Sequence, residues 1–330
     1  MIILHLKNCC IETAAKKRYE RLVSELLNEE SEEKEKELEF LLEFLKKADF
    51  QKLRSMGFDG RRRNACSRKK GGGEIFSREN MLFLIGLGLW DSKDITLRGL
   101  EIVKNSDAVY AELYTSKLGV GVEELEKFFG RKIEVLKRED LENKSYRILE
   151  RAKKEDIAIL VAGDPVIATT HISLLIEAKK LGIPARVISN ASIINAVCAL
   201  TGLQNYRFGK SATVSWQKSR HFIDVIKANL SIDAHTLLFL DLNPPMKICD
   251  AVEKILELEE SLGKHFAVGI ARAGSDNPAV KCDRLKRLGE FDFGEPLHTI
   301  VILSRRIHFM EYEALKLFAS APEELSEWVV

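Results

Sequence analysis

Several common chemical signatures are missing from this chain. Its six cysteines, at 9, 10, 66, 198, 249 and 282, include no C-x-x-C pair. That pattern argues against a zinc site or a disulfide framework and fits reduced thiols in the cytoplasm. No apolar run approaches the roughly 20 residues needed to span a bilayer, and the start, Met1-Ile-Ile-Leu-His-Leu-Lys-Asn, turns polar too soon for a signal peptide. No charge sign dominates: 51 Lys+Arg against 50 Asp+Glu leave a net +1, whereas a generic nucleic-acid binder is clearly basic. There is no P-loop and no G-x-S-x-G nucleophile turn. No cysteine has an evident base partner, and no second histidine stands at metal-ligand spacing from His171, so no metal is assigned.

At 330 residues, with 45% hydrophobic and 31% charged residues, the chain has room for about two globular domains. Residues 1–80 differ from the rest. Tyr19, Leu22, Val23 and Leu26, and then Leu38, Leu41, Leu42 and Leu45, follow helical spacing around a Glu/Lys-rich run. Arg61-Arg62-Arg63 and Arg68-Lys69-Lys70 followed by three glycines read as a flexible basic linker. The expectation for 1–80 is a charged helical or disordered extension. It is open whether the basic stretch is a plain solvated linker, an RNA- or ribosome-seeking tether, or sequence upstream of a true start at Met81.

From Met81 strand and helix patterns alternate, which predicts a mostly parallel sheet covered on both faces. Strands are expected at 81–86, 108–113, 132–136, 157–162 and 185–189. Helices are expected at 96–105, 122–129, 145–154 and 170–181, the last stopping at Gly182 before Pro184. After Asn190 the connections lose that regularity. A helix at 192–200 leads into Lys210–Ser215, then strands at 235–242, 266–271 and 298–303 with helices at 246–260 and 308–319. A mixed sheet fits better there. The fold class is therefore α/β, with lobes 81–189 and 190–330.

Two loops carry the functional signal. Gly86-Leu-Gly88 follows the first strand, but the third glycine of a dinucleotide fingerprint would fall at Asp91, so that reading fails. The pair still permits close backbone approach to a ligand. Gly163-Asp164-Pro165 is a stiffer turn, because proline restricts its own φ and the residue before it. Asp164 either accepts hydrogen bonds from a ribose or amino group, or caps local backbone donors. Thr169 or Thr170 would serve as N-cap of the next helix, with His171 a helix-start residue near the cleft. Ala191-Ser192-Ile193 can present backbone donors at a helix N-terminus. Parallel α/β sheets bind small molecules at this carboxyl edge, so the chain reads as a cofactor enzyme.

In order along the chain, Phe83-Leu-Ile-Gly-Leu-Gly-Leu89, Asp94-Ile-Thr-Leu-Arg-Gly-Leu-Glu-Ile, Ala111-Glu-Leu-Tyr-Thr-Ser116, Gly163-Asp-Pro-Val-Ile-Ala-Thr-Thr-His171, Phe208-Gly-Lys-Ser-Ala-Thr213, Ala271-Arg-Ala-Gly-Ser275 and Asp292-Phe-Gly-Glu-Pro-Leu-His298 resemble the diphthine synthases. These belong to the tetrapyrrole-methylase superfamily of S-adenosylmethionine enzymes. The resemblance implies two α/β lobes of the tetrapyrrole-methylase type with S-adenosyl-L-methionine folded between them. It implies that Leu89, Asp164, Ile167, Ser192, Ile193, Leu240, Ala273 and His298 line the cofactor pocket. It also implies a cytoplasmic homodimer that methylates the 3-amino-3-carboxypropyl-histidine of translation elongation factor 2 to diphthine, by three methylations in archaeal-type enzymes. No catalytic residue, membrane or direct nucleic-acid partner follows from it. Two departures stand out: residues 1–80 have no counterpart, and Ser215–Phe222 is shorter than the family's equivalent loop. Alternatives are a precorrin or ribosomal RNA methylase of the same superfamily, and a non-catalytic protein that docks on translation factors through 1–80.

Overall fold

Apolar runs too short for buried helices organise the first half of the described chain. The computed structural model describes residues 80–330, which lie within one compact unit; of the extension and linker expected at 1–80, residues 1–79 lie outside the described residues. Strands β1 (Leu82–Gly86), β2 (Ala108–Glu112), β3 (Glu134–Leu136), β4 (Ile157–Val161) and β5 (Ala185–Ile188) form one sheet in the order β3-β2-β4-β1-β5. Every pairing in it is parallel. β1 and β4 are buried at every position, as strands covered on both faces must be.

Alternation along the strands sorts the helices. Leu82, Leu84, Ile157 and Ile159 pack with α3 (Arg138–Glu142), α4 (Ser145–Ala152) and α5 (Ile172–Lys180). Phe83, Ile85, Ala158 and Leu160 pack with α1 (Leu97–Asn105) and α2 (Val122–Phe129). This is the period-two division expected of a pleated strand.

The second sheet contains β6 (Ala212–Val214), β7 (Thr236–Leu240), β8 (Phe266–Ala271), β9 (Ala279–Arg284) and β10 (His298–Ile302), in the order β6-β7-β10-β8-β9. Only β6 and β7 pair in parallel; the other three pairings are antiparallel. The sheet is mixed, as expected. One face packs against α7 (His221–Ser231), α8 (Ile248–Leu258) and α9 (Leu285–Leu288). The other packs against α6 (Ile193–Thr201) and α10 (Phe309–Ala319).

Sequence periodicity missed two sizeable elements, β9 and α7. In β9 only Cys282 is fully buried while Lys281, Asp283 and Arg284 are half-buried, so this edge strand lacks an apolar run. The expected N-cap at Thr169 or Thr170 also shifts. The cap position falls at His171, without a side-chain cap bond; the Thr169 hydroxyl closes the preceding turn, donating to the Pro165 carbonyl at 2.8 Å and accepting from His171 N–H at 3.5 Å.

Candidate active site

The two loops singled out from sequence are bonded to each other. Gly88 N–H donates to Gly163 O at 3.2 Å and Gly163 N–H donates to Gly88 O at 2.6 Å. Leu87 N–H donates to Val161 O at 2.8 Å, joining the same strand ends. Gly88 sits at φ +82°, and an added Cβ there would overlap the Cβ of Asp94. Its glycine is thus required by backbone conformation and by the loop's own packing, and the residue also stands on the cavity wall where the sequence suggested close approach to a ligand.

Asp94 and Asn190 drew little notice in the sequence, yet they hold the corner. Asp94 Oδ2 accepts from Leu89 N–H at 2.9 Å and Trp90 N–H at 3.0 Å. Asn190 Nδ2 donates to Gly86 O and to Asp94 O, both at 2.9 Å, and its backbone N–H donates to Asp164 Oδ2 at 3.0 Å. Three segments distant in sequence meet at this residue, two of its bonds coming from the side chain and one from the backbone. No local spacing rule finds it, because its partners lie up to 104 residues away.

Asp164 is buried and caps backbone donors: Oδ1 accepts from Val166 N–H at 3.0 Å and Oδ2 from Asn190 N–H. An ionised carboxylate has about four acceptor positions, so two bonds leave capacity for a ligand. The capping bonds are therefore compatible with a ligand bond at the same carboxylate.

All eight residues named from the resemblance line one cavity of ≈ 350 Å³. Leu89, Asp164 and Ile167 come from loops after β1 and β4, and Ser192 and Ile193 from the N-terminus of α6. Leu240 ends β7, Ala273 follows β8 and His298 opens β10. The loop after β8 packs closely on the first loop, since a Cβ on Gly274 would come within 2.5 Å of Leu89 Cβ.

His298 is held neutral by its surroundings. Ile248 N–H donates to its Nδ1 at 3.1 Å, so the ring proton sits on Nε2, which donates to Glu295 O at 3.0 Å. Burial lowers its pKa; the Glu295 carbonyl opposes this, and Arg272 and Lys247 reinforce it. Both ring nitrogens are engaged, so this imidazole offers a wall without charge, not a general base.

Another part of the cavity wall escaped the sequence. Tyr114, Thr115, Ser116, Arg138 and Thr169 line it together with Asp241. Beneath them Glu112, fully buried, accepts from Tyr114 N–H at 2.9 Å, Thr115 N–H at 2.6 Å and the Thr115 hydroxyl at 2.7 Å. His171 lies 3.5 Å from Glu112 Oε2 through Nε2 and 3.0 Å from the Pro165 carbonyl through Nδ1. As expected it starts a helix beside the cleft. The short segment after β6 is tied down by Trp216, whose backbone N–H donates to Asp241 Oδ2 at 3.0 Å and whose indole N–H donates to Pro244 O at 2.8 Å.

A parallel sheet feeding bonded loops into a cleft against a mixed sheet defines the class, and sequence comparison agrees. Residues 81–289 match the family model "Tetrapyrrole (Corrin/Porphyrin) Methylases", while residues 1–80 match a separate family model. "Diphthine synthase" of Archaeoglobus fulgidus is 56% identical over 250 residues, covering 76% of this chain and 100% of the relative. "Diphthine methyl ester synthase" of Homo sapiens is 42% identical over 281 residues, covering 75% of this chain and 98% of the relative. A solved structure described as "Crystal structure of diphthine synthase" superposes with a TM-score of 0.75 at 55% identity, covering 76% of this chain and 100% of that one. The chain belongs to the tetrapyrrole methylases and, within them, to the diphthine synthase family. It is an S-adenosylmethionine-dependent methyltransferase.

Proposed function

We propose that the cavity binds S-adenosyl-L-methionine through Leu89, Asp164, Ile167, Ser192, Ile193, Leu240, Ala273 and His298. The enzyme then methylates the amine of the 3-amino-3-carboxypropyl-histidine of translation elongation factor 2, giving diphthine. The convergence of those eight residues on one cavity carries this reading, alongside the similarity to diphthine synthases over their whole length. The cavity suits the group in size and chemistry. Its volume falls within the usual range for small-molecule sites. A Cβ on Gly163 would meet nothing within 4 Å, so backbone there faces open space. Two carboxylates, Asp164 and Asp241, and a neutral imidazole suit a cationic donor.

When bound, the cofactor supplies an electrophilic methyl group on a sulfonium. This chain's own residues have three tasks: to align the acceptor, to exclude water and to hold fixed charges in place. Asp164 and Asp241 keep theirs in register because each accepts from two backbone amides. Transfer to a neutral amine needs little acid-base help beyond loss of the acceptor ammonium's proton before each transfer, which solvent water can take. Alignment in intramolecular systems contributes up to about 7–11 kcal/mol, which explains a shaped pocket in place of a triad. Precorrin and ribosomal RNA substrates, and a non-catalytic docking role, fit the family assignment less well.

The human relative's name points to a second product, a methyl ester, for which a carboxylate oxygen must also accept a methyl group. The higher identity to the archaeal relative favours diphthine itself. Mass spectrometry of the elongation factor 2 peptide after incubation with this protein and cofactor separates the two. N-methylation resists mild base, and an ester is lost to it. An unmodified histidine adduct overturns the reading.

The same reading includes a homodimer in the cytoplasm, where the acceptor works. α10 exposes Phe309, Met310, Leu317 and Phe318, an apolar face of the kind that marks an interface. Light scattering at micromolar concentration checks it, with a monomer as the contrary result. No helix among the described residues is long and apolar enough to cross a membrane.

A further inference from the structure

Among the described residues lining the cavity, Arg138 is the sole lysine or arginine. Neither lining carboxylate, Asp164 or Asp241, lies within ion-pair distance of it; among the described residues its ion-pair partner is Glu142. Its guanidinium lies over the Tyr114 ring, 5.3 Å from the centroid, and its ion pair with Glu142 is long, at 3.5 Å, and mostly solvent-exposed. Tyr114 also lines the cavity, and its hydroxyl is buried with no hydrogen-bond partner among the described residues. A buried, unpartnered O–H is costly unless a ligand completes it. Burial first, then Glu112 and Glu142, push this phenol up to about 12, so it remains a donor throughout the working pH range. A guanidinium fork beside a neutral phenol donor is the chemistry that recognises a carboxylate.

We propose that Arg138 and the Tyr114 hydroxyl bind the carboxylate of the acceptor's aminocarboxypropyl group, leaving its amine free to face the methyl donor. This rests on the acceptor proposed above. The donor carries the same aminocarboxypropyl group, so the cofactor's carboxylate is the competing occupant, and the experiment separates the two.

Steady-state methylation is measured with the full chain and elongation factor 2 bearing the aminocarboxypropyl-histidine. S-adenosylhomocysteine binding is measured by calorimetry alongside it. Arg138→Met is expected to raise the KM for elongation factor 2 by about tenfold to a hundredfold, the worth of a charge-assisted contact, while S-adenosylhomocysteine affinity stays within about twofold of wild type. Arg138→Lys, which keeps charge but loses the fork, recovers part of that loss. Tyr114→Phe is expected to raise the same KM severalfold with Tm unchanged or higher, since it removes an unsatisfied buried group. A purely structural tyrosine would lower Tm and leave the KM alone. An unchanged KM in Arg138→Met overturns the assignment. So does a fall in S-adenosylhomocysteine affinity at constant acceptor KM, which would move the arginine to the cofactor's carboxylate. A wild-type enzyme that fails to methylate elongation factor 2 removes the acceptor and this contact together, a result distinct from either variant outcome.

Discussion

The cavity has two unlike walls. On the first sheet's side its base is a set of bonded backbone corners, with the Tyr114 and Arg138 side chains beside them. Gly88 and Gly163 bond to each other, and Asp94, Asp164 and Asn190 spend their polar atoms on main-chain partners in three separate loops. On the second sheet's side it is made of side chains at strand ends, Leu240, Ala273 and His298, standing on a packed apolar core. A wall of bonded corners has no spare volume, whereas a wall of apolar side chains can repack around a change of shape. The two should therefore answer mutation differently.

The largest contrast is expected from Gly88→Val. It places a β-branched residue at φ +82° and drives its Cβ into Asp94. Such strain costs of order 1–3 kcal/mol before the overlap is counted, so S-adenosylhomocysteine affinity should fall about a hundredfold or more. Calorimetry that shows wild-type binding would break the picture of a rigid first wall.

Behind the second wall, His265 donates from Nε2 to Leu303 O at 2.7 Å and packs edge-on to Trp328. Burial lowers its pKa from 6.5 to about 4, the Leu303 carbonyl partly opposing, with Arg305 and Arg284 adding to the shift. A depressed histidine pKa favours the neutral ring in the fold. Its contribution is complete above about pH 6.5 and is lost as pH falls toward 4, because the unfolded chain takes up the proton first. At pH 5 this amounts to about 2 kcal/mol. Urea unfolding at pH 7 and pH 5 should show that difference in wild type and most of it gone in His265→Phe. An identical pH dependence in both proteins would assign the acid sensitivity elsewhere.

Asn190→Ala should come next. It removes the amide that ties Gly86 and Asp94 together, and S-adenosylhomocysteine affinity is expected to drop about tenfold. Overall stability should fall by roughly 1–2 kcal/mol. If stability falls but affinity does not, the corner is a structural tie alone.

The smallest effect belongs to Leu240→Met. A volume-conserving exchange on the second wall should shift affinity by less than about threefold. A loss as large as that of Asn190→Ala would erase the distinction between the walls.

Much of the first sheet is legible in the chain because β1 and β4 are short, wholly apolar runs that end in glycine turns. Asp164 is legible because proline stiffens its turn. Leu240, Ala273 and His298 stand in unremarkable strand ends and were reached through family resemblance, not through chemistry visible at those positions. Asp94, Asn190, Tyr114 and Arg138 received no site role from sequence for a different reason, although Asp94 and Tyr114 lie in segments that carry the resemblance. Each is an ordinary polar residue in or beside a loop, and what distinguishes it is a partner or a shared cavity supplied by another segment. The lapse at β9 has a local cause, since an edge strand with one solvated side alternates charge where a central strand would not.

The chain's own pattern settles that a parallel sheet precedes a mixed one and that stiff, side-chain-poor turns follow particular strands, because solvation and backbone sterics act over neighbouring residues. Tertiary structure alone decides that those turns bond to one another, that His298 stays neutral and that a lone arginine beside an unpartnered phenol faces the same cavity. Each of these depends on groups brought together from distant segments, and neither charge state nor hydrogen-bond partnership is a property of a residue by itself.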